Sequence, residues 1–344
     1  MINNSKGNAV FTSCNAQYLD RALALLQSIR MHEPETTAII LFVDEIENLS
    51  SNQVEQLNLF DWVIQASELI EDDFDSWIFS RNVIEACTAV KSLGLLEILC
   101  RGFQKVVYLD PDTFLYRRLD PVWKELENSA VCLTPHRLTR SLSSNYSFEC
   151  ELSAYNYGIF NLGFLAVSSS PEAIDLANWW NDRQNRGYKS HYANIPFTDQ
   201  QWFDALPATF PGLKVLRDFG LNVASWNIDE RDVGFDSQGS LTVNGENLYF
   251  AHFSKLGSKG VIELTRSGNF SPAFAGITKR YFDTVDICRK SLGELPEWEY
   301  GKWFSGEEIT DSQRRRYRIS RMLTKQYKSP AKSKNLKDAL GTDS

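Results

Sequence analysis

The sequence has no close cysteine pair. Its six cysteines are Cys14, Cys87, Cys100, Cys132, Cys150 and Cys288, and the nearest two are 13 residues apart. That spacing excludes a CxxC zinc or redox motif. It predicts free, buried thiols in a reducing cytoplasm, without disulfides. The stretch Met1 to Val10 has no apolar core of the secretory kind, so no signal peptide is expected. No uncharged apolar run approaches the ~20 residues of a membrane span. The 19 Gly and 11 Pro follow no repeat, which excludes collagen-like and low-complexity chains. Positive charge does not dominate either. There are 36 basic and 44 acidic residues, a net charge of −8, which argues against a nucleic-acid partner. What remains is a folded chain of 344 residues, 43% hydrophobic and 23% charged, long enough for one large domain or two ordinary ones.

The first half alternates two periodicities. Ala9–Cys14, Thr37–Asp44, Trp62–Ala66, Lys105–Asp110 and Ala130–Pro135 are short apolar runs that read as strands. Between them Gln17–Met31 places Leu19, Leu23, Leu26 and Ile29 on one helical face. Leu49–Leu59 reads as a weaker helix and Ser80 to about Arg101 as a long one. This alternation predicts an α/β fold with a mostly parallel central sheet and helices on both faces. Ligands bind such sheets at the carboxyl ends of the strands. Here those ends carry Thr12–Asn15, Asp44, Asp110 and His136, although turn or cap roles are open to each.

The second half is less regular. Ile159–Ser168 reads as a strand, Pro171–Arg186 as a helix opened by proline, Asp199–Leu206 as a short helix, and Pro272–Leu292 as a final core-packing helix. No linker separates two domains before about residue 310, so residues 1–310 are expected to form one domain. Residues 312–337 contain five Arg, five Lys and no acid, leaving −18 for the rest of the chain. Ile319, Met322, Leu323 and Tyr327 fall roughly on one helical face there. A basic amphipathic helix over 311–344 with a disordered tail is expected, able to lie on an anionic membrane or pack on the acidic body.

The segment Val106–Leu115, VVYLDPDTFL, carries the most chemistry. Asp110 and Asp112 are two residues apart at the end of an apolar strand, and Pro111 keeps Asp110 out of the helical region. Such a pair holds Mg²⁺ or Mn²⁺ while leaving room for phosphate oxygens. An Asp-Pro turn is the plain alternative. A second is the hhhhDxDxT signature of haloacid-dehalogenase-like phosphatases, with Asp110 as nucleophile. Thr113 completes that pattern, but two apolar strands precede it, and no later Asp-Asp or GDxxxD follows.

Further motifs recur around this one: TAVK at 88–91, LTPH at 133–136, FNLGF at 160–164, DQQW at 199–202, SWNIDER at 225–231 and FAHFS at 250–254. In this order they resemble bacterial glycosyltransferases of the GT-A fold, near the retaining family 8 enzymes, over about residues 8–260. The resemblance is to a group found with surface-polysaccharide gene sets. It implies that Asp110, Asp112 and His252 are metal ligands. It places Lys91 and Lys255 at the donor diphosphate, Thr12 and Asn15 at the nucleoside, and Asn161 and Gly163 beside the donor sugar. Asp199 and Gln200 would line the reacting face. Taken singly, His252 reads as a buried core histidine, Lys91 as a solvated helix residue and Asp199 as a helix N-cap. Trp202, Trp226 and the Trp179–Trp180 pair offer apolar faces for sugars or for core packing.

The resemblance implies a metal-dependent enzyme using Mn²⁺ or Mg²⁺. It would transfer sugar from a nucleotide-diphosphate donor, most simply UDP-linked, to a saccharide or lipid-linked acceptor with retention. The expected location is cytoplasmic, with peripheral contact on the inner membrane face through 312–337. A non-catalytic carbohydrate-binding protein is the remaining alternative, suited by nine Trp.

Overall fold

The computed structural model describes residues 6–70, 73–140, 145–187, 199–254 and 271–341. The first half runs β1 (Lys6–Cys14), α1 (Leu19–His32), β2 (Thr37–Phe42), α2 (Ser51–Leu57), β3 (Trp62–Gln65), α3 (Ala66–Leu69), α4 (Phe74–Phe79), α5 (Val83–Cys100) and β4 (Phe103–Leu109). It continues with β5 (Thr113–Leu115), α6 (Asp120–Glu125), β6 (Val131–Pro135), α7 (Asn145–Tyr157), β7 (Phe160–Ser168) and α8 (Pro171–Gly187). Then come α9 (Gln200–Phe203), α10 (Leu206–Thr209), β8 (Leu213–Val215), β9 (Val223–Ala224), β10 (Val233–Phe235), β11 (Leu241–Val243), β12 (Glu246–Asn247) and β13 (Phe250–His252). The last elements are helices α11 (Pro272–Leu292), α12 (Asp311–Ile319), α13 (Arg321–Gln326) and α14 (Lys334–Leu340).

Seven strands form one sheet in the order β3-β2-β1-β4-β7-β6-β8. All run parallel except β7, which pairs antiparallel with both β4 and β6. The expected α/β fold is therefore observed. Strand alternation splits the core in two. Val10 joins α1 and α11 on one face, while Ala9 and Phe11 join α5 and α8 on the other. The face predicted for α1 is the buried one, with Leu19, Leu23, Leu26 and Ile29 all inside.

Helix α5 starts at Val83 rather than Ser80. Asn82 and Glu85 form a reciprocal capping box there, each side chain accepting from the other's backbone N–H at 2.9 Å. Residues Phe74–Phe79, before it, form a separate helix. A Cβ on Gly94 would meet Leu41 side-chain atoms at 2.3 Å, so α5 presses close on β2. None of the six cysteines forms a disulfide. Cys14, Cys132 and Cys288 are buried as expected, but Cys100 is exposed.

Beyond residue 310 the single amphipathic helix and disordered tail are not what is found. Ser320 breaks the helix and caps the next one, its hydroxyl accepting from Leu323 N–H. Tyr317, Leu336 and Leu340 are buried with Phe79 and Trp303, whereas Met322 is 70% exposed. The aromatic surface of α4 supplies the apolar partner that the tail cannot make for itself.

Candidate active site

Asp110 is the first residue after β4, and its N–H donates to the Gly163 carbonyl on β7 at 2.9 Å. A tight turn follows. The Thr113 N–H and hydroxyl both donate to the Asp110 carbonyl, at 3.0 and 2.8 Å. The chain then enters β5, part of a second sheet in the order β5-β13-β9. Antiparallel pairing of β5 with β13 sets His252 opposite Thr113. Phe253 N–H donates to the Asp112 carbonyl at 2.8 Å, fixing the two segments together. The ligand atoms of Asp110, Asp112 and His252 consequently lie within 4.8 Å of one another. His252 Nε2 is 2.9 Å from Asp112 Oδ1 and 3.7 Å from Asp110 Oδ2.

The surroundings fix the tautomer of His252. Asn161 Oδ1 accepts from Asn222 Nδ2 at 3.0 Å and from Gly163 N–H at 3.2 Å, so it is an acceptor. His252 Nδ1 lies 3.3 Å from the same oxygen and is assigned as the N–H. The Nε2 lone pair then faces two carboxylates. That arrangement calls for a cation between them, either a proton or a metal ion. Two carboxylates and one imidazole suit Mn²⁺ or Mg²⁺, and adjacent ligands of an octahedral ion bound at ~2.1 Å stand about 3 Å apart. The residues thus fit the ion. Burial opposes the imidazolium of His252, but Asp112 and Asp110 outweigh it and raise its pKa.

Lys91 extends the constellation from α5. Its Nζ is 3.2 Å from Asp110 Oδ1, 3.4 Å from Asp199 Oδ2 and 3.3 Å from the Leu162 carbonyl. It also stands 4.4 Å from the Tyr108 ring centroid. Burial disfavours its charge, yet the two carboxylates raise its pKa. Burial likewise works against ionised Asp110, but Lys91 and His252 hold its carboxyl below the usual range. Asp199 goes the other way: burial raises its pKa and Lys91 offsets that only in part. The Tyr108 hydroxyl donates to Asp110 Oδ1 at 2.6 Å and lies 3.1 Å from Ser13 Oγ.

Asn161, Gly163, Asp199 and Gln200 join Lys91, Asp110 and His252 around one cavity of about 240 Å³. Gln200 fastens its floor. Its Oε1 accepts from Leu162 N–H at 3.0 Å and Asn161 Nδ2 at 3.2 Å, and its Nε2 donates to the Tyr157 carbonyl at 3.1 Å. A Cβ on Gly163 would meet His252 Cε1 at 2.4 Å and Asp110 Oδ2 at 2.8 Å, so only glycine fits there. Asp199 sits at the N-cap position of α9 but makes no side-chain cap bond, and its carboxylate turns to Lys91.

Thr12 and Asn15 are buried at the end of β1, one strand from Asp110, and do not line this cavity. Asp44 is buried beside them after β2, with Oδ2 accepting from Ala16 N–H at 2.8 Å. Lys255 lies outside the described residues. Trp226 lines the cavity, its ring centroid 5.1 Å from that of His252. Trp180 is fully buried against Phe203 and serves the core.

Sequence reasoning missed Tyr108, Asn222 and Asn227. Tyr108 was within reach, because residues two apart on a strand share a face and Asp110 follows it by two. Asn222, fully buried at φ 58°, and Asn227 tie the cavity wall together by donating across the sequence to Thr134 Oγ1 and the His136 carbonyl, contacts that leave no local pattern.

No family profile matches the chain. YfnF of Bacillus subtilis, an uncharacterized protein, is 24% identical over 240 residues, covering 69% of this chain and 77% of its own. Glycogenin of Neurospora crassa is 33% identical over 122 residues, 35% of this chain and 17% of its own. Among solved structures, the galactosyltransferase LgtC with donor and acceptor sugar analogs aligns at TM-score 0.47 and 14% identity, covering 84% of this chain and 98% of its own. Fold and site together define an α/β chain with a mostly parallel sheet and an Asp-Asp-His cluster beside a cavity.

Proposed function

We propose that this chain transfers a sugar from a nucleotide-diphosphate donor, most simply UDP-linked, to a saccharide or lipid-linked acceptor, with retention. The observation that carries the reading is the meeting of Asp110, Asp112 and His252 at one edge of the cavity that Asp199 and Asn161 line. When bound there, Mn²⁺ or Mg²⁺ supplies positive charge to the leaving diphosphate. Asn161 keeps the Nδ1 proton on His252 and so keeps Nε2 free to ligate. Lys91 is already committed to two carboxylates, so its support to the diphosphate is through holding Asp110 and Asp199 in place. Gly163 lets the β7 backbone approach the donor sugar.

The phosphatase alternative finds less support. Thr113 is fully buried and its hydroxyl closes the turn on Asp110, rather than facing the cavity. Thermal shift and nucleotide release with a panel of nucleotide sugars plus Mn²⁺ test the proposal. A rise in melting temperature and slow release from one donor are expected; no response to any donor refutes it.

Among the described residues no helix is long and apolar enough to cross a membrane. Exposed Arg321, Lys325, Lys332 and Lys334 support peripheral contact with anionic lipid. Replacing these four with Gln should abolish sedimentation with anionic vesicles, and unchanged sedimentation removes the idea.

A further inference from the structure

A second cleft of about 550 Å³ lies away from the metal-ligand cluster. It is walled by His32 at the end of α1, Tyr116–Arg118 after β5, Arg280 on α11 and the β10–β11 turn with Phe235 and Ser240. Three arginines line it. Arg118 has a solvated partner, Asp120, at 3.2 Å. Arg280 Nη2 touches the Met31 sulfur at 3.6 Å, and neither Arg280 nor Arg117 has a carboxylate within ion-pair distance among the described residues. Outside residues 312–337 the chain carries −18, so carboxylates are plentiful. Leaving Arg117 and Arg280 together without such a partner among the described residues concentrates positive potential in a concave site. His32 registers that potential: burial, then Arg280 and Arg117, lower its pKa.

The walls are tied together. The Tyr116 hydroxyl donates to the Ile277 carbonyl at 3.2 Å, holding α11 against β5. Tyr116 N–H donates to the Tyr249 carbonyl at 2.8 Å. The rim carries Phe235, 62% exposed, an apolar ring face beside the Ser240 hydroxyl. Guanidinium forks match phosphate oxygens, and an exposed aromatic ring beside a hydroxyl suits a sugar face.

We propose that this cleft is a second binding site, separate from the metal cluster, for a phosphate monoester carried on a sugar. Arg117 and Arg280 hold the phosphate and Phe235 packs on the sugar ring. The site makes no use of the metal cluster, and so stands or falls independently of the transfer reaction.

Calorimetric titration of the full chain at low ionic strength, with a chelator present, tests this using glucose 1-phosphate, inorganic phosphate and glucose. Glucose 1-phosphate should bind most tightly, phosphate more weakly and glucose not at all. The Arg117→Ala/Arg280→Ala variant should lose at least tenfold in affinity for both phosphates, while Asp112→Asn should bind them as the parent does. Phe235→Ala should weaken glucose 1-phosphate several-fold and leave phosphate unchanged. No binding by the parent, binding untouched by loss of the two arginines, or loss in Asp112→Asn overturns the proposal. Equal binding of phosphate and glucose 1-phosphate, unaffected by Phe235→Ala, overturns the assignment to a sugar.

Discussion

His252 Nε2 stands 2.9 Å from Asp112 Oδ1, although Asp112 lies in the turn just before β5 and His252 ends β13, at distant points of the chain. The contact exists because β5 and β13 pair in one register, and it brings a lone pair against a carboxylate. Replacing Asp112 with Asn should remove one ligand. Mn²⁺ affinity should fall by more than about 100-fold, since even loss of an outer partner of a ligand costs 10–100-fold. Titration calorimetry reads the affinity, and circular dichroism should show an unaltered fold. Undiminished Mn²⁺ binding would refute the metal assignment.

Gly163 marks a second test. A methyl group there would lie 2.4 Å from His252 Cε1 and 2.8 Å from Asp110 Oδ2. Gly163→Ala should displace both groups, lower stability by about 1–3 kcal/mol and weaken Mn²⁺ binding. Urea unfolding and metal titration measure the two effects. A variant matching the parent in both would show that the β7 backbone yields freely.

Asp44 gives a pH test. Burial raises its pKa from 3.8 to about 6, and the Ala16 N–H offsets this only in part. The folded state therefore holds the proton more tightly than the unfolded chain. That contribution is present below pH 3.8 and is lost as pH rises to about 6. The change amounts to about 3 kcal/mol. Asp44→Asn can keep the bond to Ala16 without the charge. It should be more stable than the parent at pH 8, with the advantage shrinking toward pH 4. Denaturant unfolding at both values reads this; a constant difference would contradict it.

Arg314 anchors the C-terminal helices. Its guanidinium donates to the carbonyls of Phe79, Arg81 and Tyr300 at 2.8, 2.7 and 2.7 Å, and burial lowers its pKa to about 10. Arg314→Ala leaves those carbonyls without their donor and should cost about 3 kcal/mol. Limited proteolysis should then cut near residue 310 well before the parent is cut. Equal resistance would mean that Tyr317 and Leu336 suffice to hold the segment.

Much of this was legible in the sequence. Pro272–Leu292 was bounded correctly because Pro272 opens the helix and apolar residues recur along one face. Asp110 and Asp112 stood out because two carboxylates two residues apart at the end of an apolar strand can hold one divalent cation. The reversal of β7 was hidden, since a buried strand reads alike in either direction. The docking of the tail was hidden because Tyr317 and Arg314 are buried by α4, whose surface no local pattern announces. Pairing of Lys91 with two carboxylates likewise depends on three elements meeting in space.

The order in which the chain is made bears on the site. Asp110 and Asp112 emerge early, Asn161 and Gly163 next, and His252 long after, when β13 pairs with β5. Until then the carboxylates have Lys91 but lack the imidazole. Closing so long a loop is slow and entropically costly. An ion bound by all three side chains would act as a clasp on that last pairing, so metal supply during synthesis would influence how fast the native chain accumulates.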